Sequence, residues 1–395
     1  MGIKNIVGQA ASGENFFKRP EIITKIKRAI NNYSNILISS PRRVGKTSIL
    51  LHLVDTAEEG NHYIYVITQS INSENEFYKR LYTAMIDSGS VGGFTKISRK
   101  TKDYLRAAIE KIKGVKVDGI GGLDLNAGKE IDYKERFLRL LKKLPVDGQR
   151  LILMIDEFTQ TLENIIRKEG EDNAIHFLQS IRECRFDGVI KDKVLFIYTG
   201  SIGLENVANR LLAIDLVSDL DSVKVSPLSS INAIKFVHAL LEELEFSMDD
   251  KVIYYMLDKI DWFIPFYIKI FIQEIHNVCI DEGHTKVTKS IIDNTFEQML
   301  AHRNYFEHWY SRLKKTFKKK DYKFAVDLLN HIADKKTIDA NEIINLAVKN
   351  KREDFYKDIL KILIYDGYIN NSENPSVYRF NSPILRAWWY QNVTN

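Results

Sequence analysis

Cysteine is scarce in this sequence of 395 residues. The two cysteines, Cys184 and Cys279, are far apart and form no C-x-x-C pair. The sequence therefore indicates neither a disulfide framework nor a zinc site. A chain with so few thiols suits a reducing compartment, and we expect a cytoplasmic protein.

Long apolar runs are absent as well. No stretch approaches the roughly 18 apolar residues that a membrane-spanning helix needs. The opening MGIKNIVGQAASGENF has no apolar signal-peptide core, and residue 6 is not the Ser or Thr that N-myristoylation prefers. These features argue against a membrane partner. With 45% hydrophobic residues, the chain is expected to fold as a soluble globular protein of two or three domains.

Acidic residues do not balance basic ones in the last fifth of the chain. The chain contains 57 Lys and Arg and 52 Asp and Glu. Residues 311–395 contain 16 of the basic and 10 of the acidic residues, and residues 1–310 contain the other 41 basic and 42 acidic residues. The densest basic run is RLKKTFKKKDYK, Arg312 to Lys323. Such a run is typical either of a solvated linker or helix face, or of a surface that contacts nucleic-acid phosphates. The sequence leaves both interpretations open.

The first part of the chain alternates strand and helix patterns. Buried strands are predicted at NILIS, HYIYVI, RLILMIDEF and KVLFIYTGS, with amphipathic helical segments between them. This alternation predicts an α/β domain over residues 1–225, built on a parallel sheet with helices on both faces. Within it, the glycine-rich GVKVDGIGGLDLNAG predicts a β-hairpin insertion at about residues 88–132.

The rest of the chain is mainly helical. Residues 226–310 show only helical periodicity, which predicts a helical lid subdomain and linker. Residues 311–395 contain three amphipathic helices followed by the strand-like NPSVYRF, and this outline is that of a winged helix. The paired Trp388 and Trp389 near the end are expected to pack in its core rather than to stack on bases.

One stretch carries a specific chemical signal, ILISSPRRVGKTSIL at residues 36–50. It ends like the phosphate-binding pattern G-x-x-x-x-G-K-[ST], with Ser40 in place of the first glycine. A strand, a tight loop and a helix start gather backbone N–H groups around one point, which suits a phosphate chain. We predict that the nucleotide contacts the loop residues Ser40, Pro41, Arg42, Arg43, Val44, Gly45, Lys46, Thr47 and Ser48.

Individual roles follow from the residue types in this loop. Lys46 is expected to reach the β and γ phosphates and to act in catalysis, and the hydroxyl of Thr47 is expected to bind Mg²⁺. Gly45 lets the backbone approach the phosphates closely. Ser40 stands at the strand end, where a small residue serves in place of glycine.

A second motif lies about a hundred residues further on. The apolar strand LILMIDEF delivers Asp156 and Glu157 at its carboxyl end, the edge where ligands bind in open α/β sheets. We predict that Asp156 holds Mg²⁺ and that Glu157 is the general base that activates water. The strand VLFIYTGS ends in Thr199 and Ser201, which either contact the γ-phosphate or the water, or simply form a turn.

These segments resemble a known family. NFFKRPEIITKIKRAI, SPRRVGKTSILLHL, LILMIDEF, VLFIYTGSIGLENV and VSPLS are similar to prokaryotic AAA+ type P-loop ATPases of the archaeal ATPase family, related to Orc1/Cdc6 proteins and signalling NTPases. YFEHWYSRL and YRFNSPILRAWW resemble the linker and winged-helix end of that family, so the resemblance covers the whole chain. It implies ATP and Mg²⁺ as ligands. It also implies that Phe17–Arg19 lies near the adenine and that Ser201 or Thr199 is sensor 1.

The sequence departs from the family pattern in three places. Lys18 and Ser40 replace the glycines of Phe-x-Gly-Arg and Gly-Pro-Arg-Arg, and the sensor 2 segment DWFIPFYIKIF has no arginine, Lys269 being the nearest cation. The resemblance also implies an arginine finger. In AAA+ proteins this residue usually comes from a neighbouring subunit, so a homo-oligomer is one expectation. Arg210 is the candidate, with Arg182 and Arg185 as alternatives.

The function indicated is ATP hydrolysis that drives conformational change. Two interpretations of the output remain open: association with double-stranded DNA through the winged helix, or a nucleotide-gated switch whose winged helix binds a protein partner. The basic C-terminal part favours DNA slightly. The segment DFYKDILKILIYDG offers mainly Lys and Asp, which does not support sequence-specific reading of base edges.

Overall fold

The computed structural model divides the chain into two compact units, which we call the sheet unit and the helical unit. The sheet unit comprises Lys18–Ser40 and Lys46–Val225, and the helical unit comprises Met1–Phe17, Pro41–Gly45 and Ser226–Asn395. The division therefore passes through the predicted phosphate loop. The structure describes residues 2–86, 95–97, 101–102, 105, 131–144, 148–200 and 203–394. The segment that predicts a β-hairpin, GVKVDGIGGLDLNAG, lies outside the described residues.

The sheet unit is built on a six-stranded sheet with the order β3-β2-β4-β5-β1-β6. The strands are β1 Ile36–Ser39, β2 Asn61–Ile67, β3 Thr95–Ile97, β4 Arg150–Asp156, β5 Val194–Thr199 and β6 Asp221–Lys224. Five strands are parallel, and β3 pairs antiparallel with β2 at one edge. All four predicted strands are present. Strand β5 lies between β1 and β4, which brings the ends of three strands together at one edge.

Strand β6 was not predicted from the sequence. Its sequence DSVK buries only Val223, so it lacks the apolar run that identifies the central strands. The strand is instead specified by its partner, because Ile38 of β1 lies opposite Val223 and the two strands run parallel. An edge strand of this kind depends on long-range pairing more than on its own composition.

Some helices of the sheet unit carry local start signals, and five of them share one core. They are α1 Pro20–Asn31, α2 Lys46–Asp55, α3 Glu74–Ile86, α4 Tyr133–Lys142, α5 Phe158–Glu169, α6 Glu171–Phe186 and α7 Leu204–Arg210. Proline at the first position starts α1, and the side chain of Asp132 caps α4 by accepting from the Glu135 N–H at 2.9 Å. Phe77, Phe158 and Phe177 join α3, α5 and α6 with ring centroids 5.0 to 5.8 Å apart.

The helical unit begins with five helices, α8 Ser230–Leu241, α9 Asp250–Ile260, α10 Pro265–Glu282, α11 Lys289–Ala301 and α12 Arg303–Thr316. The hydroxyl of Ser229 caps α8, and Pro265 starts α10. The N-terminal segment is fastened to these helices, since Ile3 N donates to the Ala239 carbonyl at 2.8 Å. The predicted helical character of this part of the chain is confirmed.

The remainder of this unit, which we call the C-terminal region, spans residues 319–394. Its elements are α13 Lys319–Lys335, β7 Thr337–Asp339, α14 Ala340–Asn350, α15 Tyr356–Asp366, β8 Ile369–Asn370, β9 Val377–Phe380 and α16 Pro383–Trp389. The strands form an antiparallel sheet in the order β7-β9-β8. Three helices and the strand at NPSVYRF are therefore present as predicted. Trp388 and Trp389 are fully buried, which confirms their predicted place in the core.

Helix α12 is joined to the C-terminal region by buried polar contacts. Arg312 pairs with Asp366 through two hydrogen bonds of 2.9 and 2.7 Å, and the hydroxyl of Tyr368 donates to the Trp309 carbonyl at 2.7 Å. The first residue of the basic run is thus part of the interior.

None of the helices in the described part of the chain combines the length and the apolarity that crossing a bilayer requires.

Candidate active site

The predicted phosphate loop connects the end of β1 to the start of α2. Gly45 has φ = +101°, a backbone conformation that glycine adopts with little cost and other residues rarely adopt. Ser40 is buried and has a negative φ, so its position does not require glycine. The serine that departs from the phosphate-loop pattern therefore fits the backbone without strain.

Lys46 and Thr47 open helix α2. The Lys46 side chain is buried, and its Nζ donates to the carbonyl of Ser40 at 3.3 Å. This long hydrogen bond keeps the ammonium group beside the loop backbone. Because a helix N-terminus also favours negative charge, this end of α2 suits a phosphate group.

Asp156 lies at the carboxyl end of β4 and is only 3% exposed. Its carboxylate accepts hydrogen bonds from the hydroxyls of Thr47 and Tyr65, each at 2.8 Å, and from the hydroxyl of Thr199. We call these four residues the hydroxyl–carboxylate cluster. Its members come from α2, β2, β4 and β5, so the sheet order brings them together. No ion pair to Asp156 occurs within the described ranges.

Glu157 follows Asp156 and precedes helix α5 with φ = +60°. Its N–H donates to Oδ1 of Asp156 at 3.1 Å. A glutamate in the left-handed region costs conformational energy, and such residues concentrate at functional sites. The turn separates the environments of the two adjacent carboxylates, because Asp156 is buried and Glu157 is half-buried.

The cluster fits a magnesium ion. Mg²⁺ prefers oxygen ligands, and the Thr47 hydroxyl and the Asp156 carboxylate are oxygen donors in direct contact. Asp156 is a buried carboxylate among neutral hydroxyl donors, so a cation there would offset its desolvation. The two residues predicted as metal ligands are therefore together in the structure.

Tyr65 is a member of the cluster that the sequence analysis did not identify. Burial raises the pKa of its hydroxyl, and the negative charge of Asp156 and the hydrogen bond to it raise the pKa further. The hydroxyl therefore stays protonated and acts as a donor. The sequence signal was weak, since HYIYVI reads as a buried strand, and only the register of β2 against β4 places Tyr65 near Asp156.

The remaining predicted site residues are more dispersed. Ser201 lies outside the described residues, whereas Thr199, the other sensor 1 candidate, is a member of the cluster. Arg210 pairs with Glu163 at 2.8 Å on the surface of the sheet unit. Of the alternatives to Arg210, Arg185 is buried in a bidentate pair with Asp219.

The predicted adenine and sensor 2 residues lie partly in the helical unit. The ring of Phe17 packs against Phe236 with centroids 5.0 Å apart. The Nζ of Lys269 donates to the Ile6 carbonyl at 3.3 Å, and burial lowers the pKa of this lysine. Lys269 thus contacts the N-terminal segment through its ammonium group.

Comparisons with known proteins identify the fold. No protein-family model and no curated protein sequence matches the chain. Among solved structures, the chain is similar to a Walker-type ATPase of Pyrococcus abyssi, with a TM-score of 0.64 and 18% identity over 97% of this chain and 99% of that one. It is also similar to the ORC2 protein of Aeropyrum pernix in its ADPNP-ADP complexes, with a TM-score of 0.52 and 13% identity over 93% and 92%.

These similarities extend over nearly the full length of both solved structures. The predicted α/β P-loop fold of the AAA+ type is confirmed, and so is the predicted resemblance to archaeal Orc1/Cdc6-type and Walker-type ATPases at the level of fold. Identities below 20% do not transfer an activity, since one fold hosts many functions. The function must therefore be argued from the site.

Proposed function

We propose that the protein binds ATP with Mg²⁺, hydrolyses it to ADP and phosphate, and uses the reaction to drive a conformational change. The observation that carries the proposal is the 2.8 Å hydrogen bond between Thr47 and Asp156, residues 109 positions apart. It joins the two sequence motifs that phosphate-loop ATPases use for the metal and the phosphates. The similar Aeropyrum structure contains ADPNP and ADP, which supports a nucleotide as the ligand.

The roles of the residues follow from their chemistry. Residues Ser40–Ser48 would surround the phosphates, with Lys46 binding phosphate oxygens through its ammonium group. Thr47 and Asp156 would hold Mg²⁺, which neutralises charge on the phosphates when it is bound. Glu157 would accept a proton from the attacking water, and Thr199 would orient a neighbouring oxygen. Arg210 stays our candidate for an arginine finger supplied to a second copy in a homo-oligomer.

Binding is tested first through Lys46. Replacing Lys46 by alanine should abolish or greatly weaken ATP binding and leave the thermal unfolding midpoint within a few degrees of the parent. Calorimetric titration of ATP and a thermal melt on the same preparations measure both. A Lys25→Ala variant is a matched control, because Lys25 is an exposed lysine of the same unit outside the loop. Unchanged ATP affinity in Lys46→Ala would remove the phosphate-loop assignment.

Hydrolysis is tested through Glu157. Glutamine at this position keeps the size of the side chain and removes the carboxylate base. Glu157→Gln should therefore bind ATP like the parent, while phosphate release falls by roughly 10²- to 10⁴-fold. Equal release rates in parent and variant would show that Glu157 is not the base. If the parent binds ATP and releases no phosphate even with DNA present, the protein is a nucleotide-gated binding module.

We propose double-stranded DNA as the partner of the C-terminal region. The basic run covers the end of α12 and the start of the C-terminal region, and it buries Arg312, Leu313 and Phe317. Its six lysines are exposed, namely Lys314, Lys315, Lys318, Lys319, Lys320 and Lys323. Contacts from such lysines to phosphates make affinity fall steeply with salt. Replacing Lys318, Lys319 and Lys320 by glutamine should flatten that salt dependence, measured by fluorescence anisotropy of a labelled duplex. The variant with Lys25, Lys168 and Lys191 replaced by glutamine changes the charge equally and should keep the parent slope.

A protein partner is the second candidate, and a specific observation favours it. Three apolar side chains on the same region are exposed, Ile344 and Val348 one turn apart on α14 and Phe355 just before α15. The pair on α14, one turn apart, gives that helix an exposed apolar face of the kind that protein interfaces use. Absence of DNA binding at low salt would favour this alternative over DNA.

A further inference from the structure

The strained turn at Glu157 is held by hydrogen bonds on both of its sides. Glu157 has φ = +60°, and a residue in this region persists only where the surrounding structure enforces it. The carbonyl of Asp156, just before it, accepts from the N–H and from the hydroxyl of Thr68, at 3.0 and 3.1 Å. The carbonyl of Glu157 itself accepts from the N–H groups of Gln160 and Thr161, at 3.0 and 3.3 Å. The backbone at Glu157 is therefore fixed from two directions.

Thr161 connects these two anchors to each other. It lies in the first turn of α5, where its N–H donates to the Glu157 carbonyl, and its hydroxyl donates to the carbonyl of Thr68 at 2.7 Å. Thr68 directly follows strand β2, and both threonines are completely buried. Loss of the Thr161 hydroxyl would leave a buried carbonyl without this donor, which is costly. Thr161 thus joins the start of α5 to the end of β2 beside the turn.

Asn164, one turn further along α5, extends the same connection. Its side chain is 5% exposed, and its Nδ2 donates to the carbonyls of Gln69 and Ile71, each at 2.9 Å. Its Oδ1 accepts from the side chains of Gln160 and Arg167, at 3.0 and 3.1 Å. An asparagine amide has two donors and one oxygen with two lone pairs, so all of its positions are used. Asn164 therefore has one orientation, and it holds the segment after β2 against α5.

We call Thr68, Thr161 and Asn164 the polar clamp. All three residues belong to the sheet unit, as do Asp156 and Glu157. The hydrogen bonds that the three side chains donate end on backbone carbonyls. The polar clamp therefore acts on the course of the backbone around Glu157 rather than on a ligand.

We propose that Thr161 and Asn164 are positioning residues for Glu157, which through the polar clamp keep its strained turn in the geometry that places the carboxylate for proton transfer. This inference rests on the proposed function, since it requires Glu157 to be the general base. A catalytic group displaced by about 1 Å can lose about 10²-fold in rate. Loosening the polar clamp should therefore slow hydrolysis. Binding of ATP, which we assign to residues 40–48, should stay unchanged.

The first test removes the hydroxyl of Thr161 and keeps the shape of the side chain. Thr161→Val should lower kcat roughly 10-fold and leave the KM for ATP unchanged. Thr161→Ser restores the hydroxyl and should keep the parent kcat. Phosphate release measured over a range of ATP concentrations gives both constants.

Asn164→Ala tests the second positioning residue in the same assay and should also lower kcat without a change in KM. Asn173→Ala is its matched control. The Asn173 side chain donates to the Glu169 carbonyl at 2.7 Å on the exposed surface of the same unit. The control should keep the parent kcat, because its hydrogen bond lies outside the polar clamp.

A double variant separates positioning from a general structural role. Residues that act as a unit in catalysis have non-additive effects on rate. If Thr161 acts through the Glu157 carboxylate, adding Thr161→Val to Glu157→Gln should cause no further loss, as measured by single-turnover phosphate release. A structural role would instead lower the rate by the same factor in both backgrounds.

The outcomes separate this inference from the proposed function. If Glu157→Gln lowers phosphate release but folded Thr161→Val and Asn164→Ala keep the parent kcat, the polar clamp does not position the base. Equal losses in both backgrounds, or a raised KM with unchanged kcat, would also overturn this inference alone. If Thr161→Val does not fold, Asn164→Ala in both backgrounds decides the same question. Parent-like phosphate release in Glu157→Gln would overturn the proposed base and this inference together.

Discussion

Two buried aspartates show how the same side chain is used differently in the two units. Asp156 in the sheet unit is 3% exposed and Asp366 in the helical unit is 4% exposed. Asp366 accepts two hydrogen bonds from Arg312, so its negative charge is neutralised within the chain. Asp156 accepts from three neutral hydroxyls instead. Burial alone therefore does not distinguish a structural carboxylate from a functional one.

The difference lies in the partners. A buried ion pair whose hydrogen bonds are satisfied is complete, and removing either member leaves an isolated charge. A buried carboxylate surrounded by hydroxyl donors is held in position without a counter-charge among those donors, so a cation from outside the chain would offset its burial. The comparison supports a structural role for Asp366 and agrees with the proposed metal-binding role of Asp156.

The largest expected effect is on stability at Asp366. Replacing Asp366 by asparagine leaves the guanidinium of Arg312 buried without its counter-charge, which should lower the free energy of unfolding by about 3–5 kcal/mol. Urea denaturation of parent and variant measures the change. The double variant Arg312→Met with Asp366→Leu should recover much of the loss. A loss below about 1 kcal/mol in the single variant would break the comparison.

A smaller effect, seen only with ligand, is expected at Asp156. Asparagine there removes a buried charge that has no cationic partner within the described residues, so the unfolding free energy without ligand should change by about 1 kcal/mol or less. The parent should gain about 2–3 kcal/mol from MgATP at a hundredfold excess over Kd, and Asp156→Asn should lose most of that gain. Thermal melts with and without Mg²⁺ and ATP decide this. Equal MgATP stabilisation of parent and variant would contradict the metal role.

The smallest expected effect sharpens the role of the hydroxyl donors. Tyr65→Phe removes one of three hydroxyls that hold the Asp156 carboxylate and should cost about 1 kcal/mol of stability. It should also weaken the Mg²⁺ dependence of ATP binding, because the carboxylate becomes less well positioned. Tyr63→Phe, in the same buried strand two residues earlier, is the control and should leave the Mg²⁺ dependence unchanged. If both variants give identical Mg²⁺ titrations, the Tyr65 hydroxyl does not position the carboxylate for the metal, and Tyr65 contributes only to packing.

Most of the architecture could be predicted from the sequence because the patterns that indicate it are local. Continuous apolar runs identified the central strands, and the motif ending at Lys46 and Thr47 indicated where a phosphate would bind. Gly45 fits this prediction, since its φ of +101° suits glycine. Strand β6 was not predicted, because a strand with one buried residue in four shows no hydrophobic periodicity. The proposed roles of Glu157 and Arg210 stay predictions.

The hydroxyl–carboxylate cluster could be predicted only in part. Thr47, Asp156 and Thr199 stand at motif positions, so their types and order already suggested a shared site. Tyr65 stands inside a strand, and its proximity to Asp156 depends on the register of β2 against β4. Register is set by packing between strands rather than by the composition of either strand.

The sequence by itself located the phosphate loop, the acidic strand end and the helix caps, because each of these features depends on residues only a few positions apart. The tertiary structure decided which distant groups meet. It joined Thr47, Tyr65 and Thr199 to Asp156 through the strand order of one sheet. It also buried Arg312 of the basic run against Asp366. Such pairings depend on the packing of elements far apart in the chain, which local propensity does not encode.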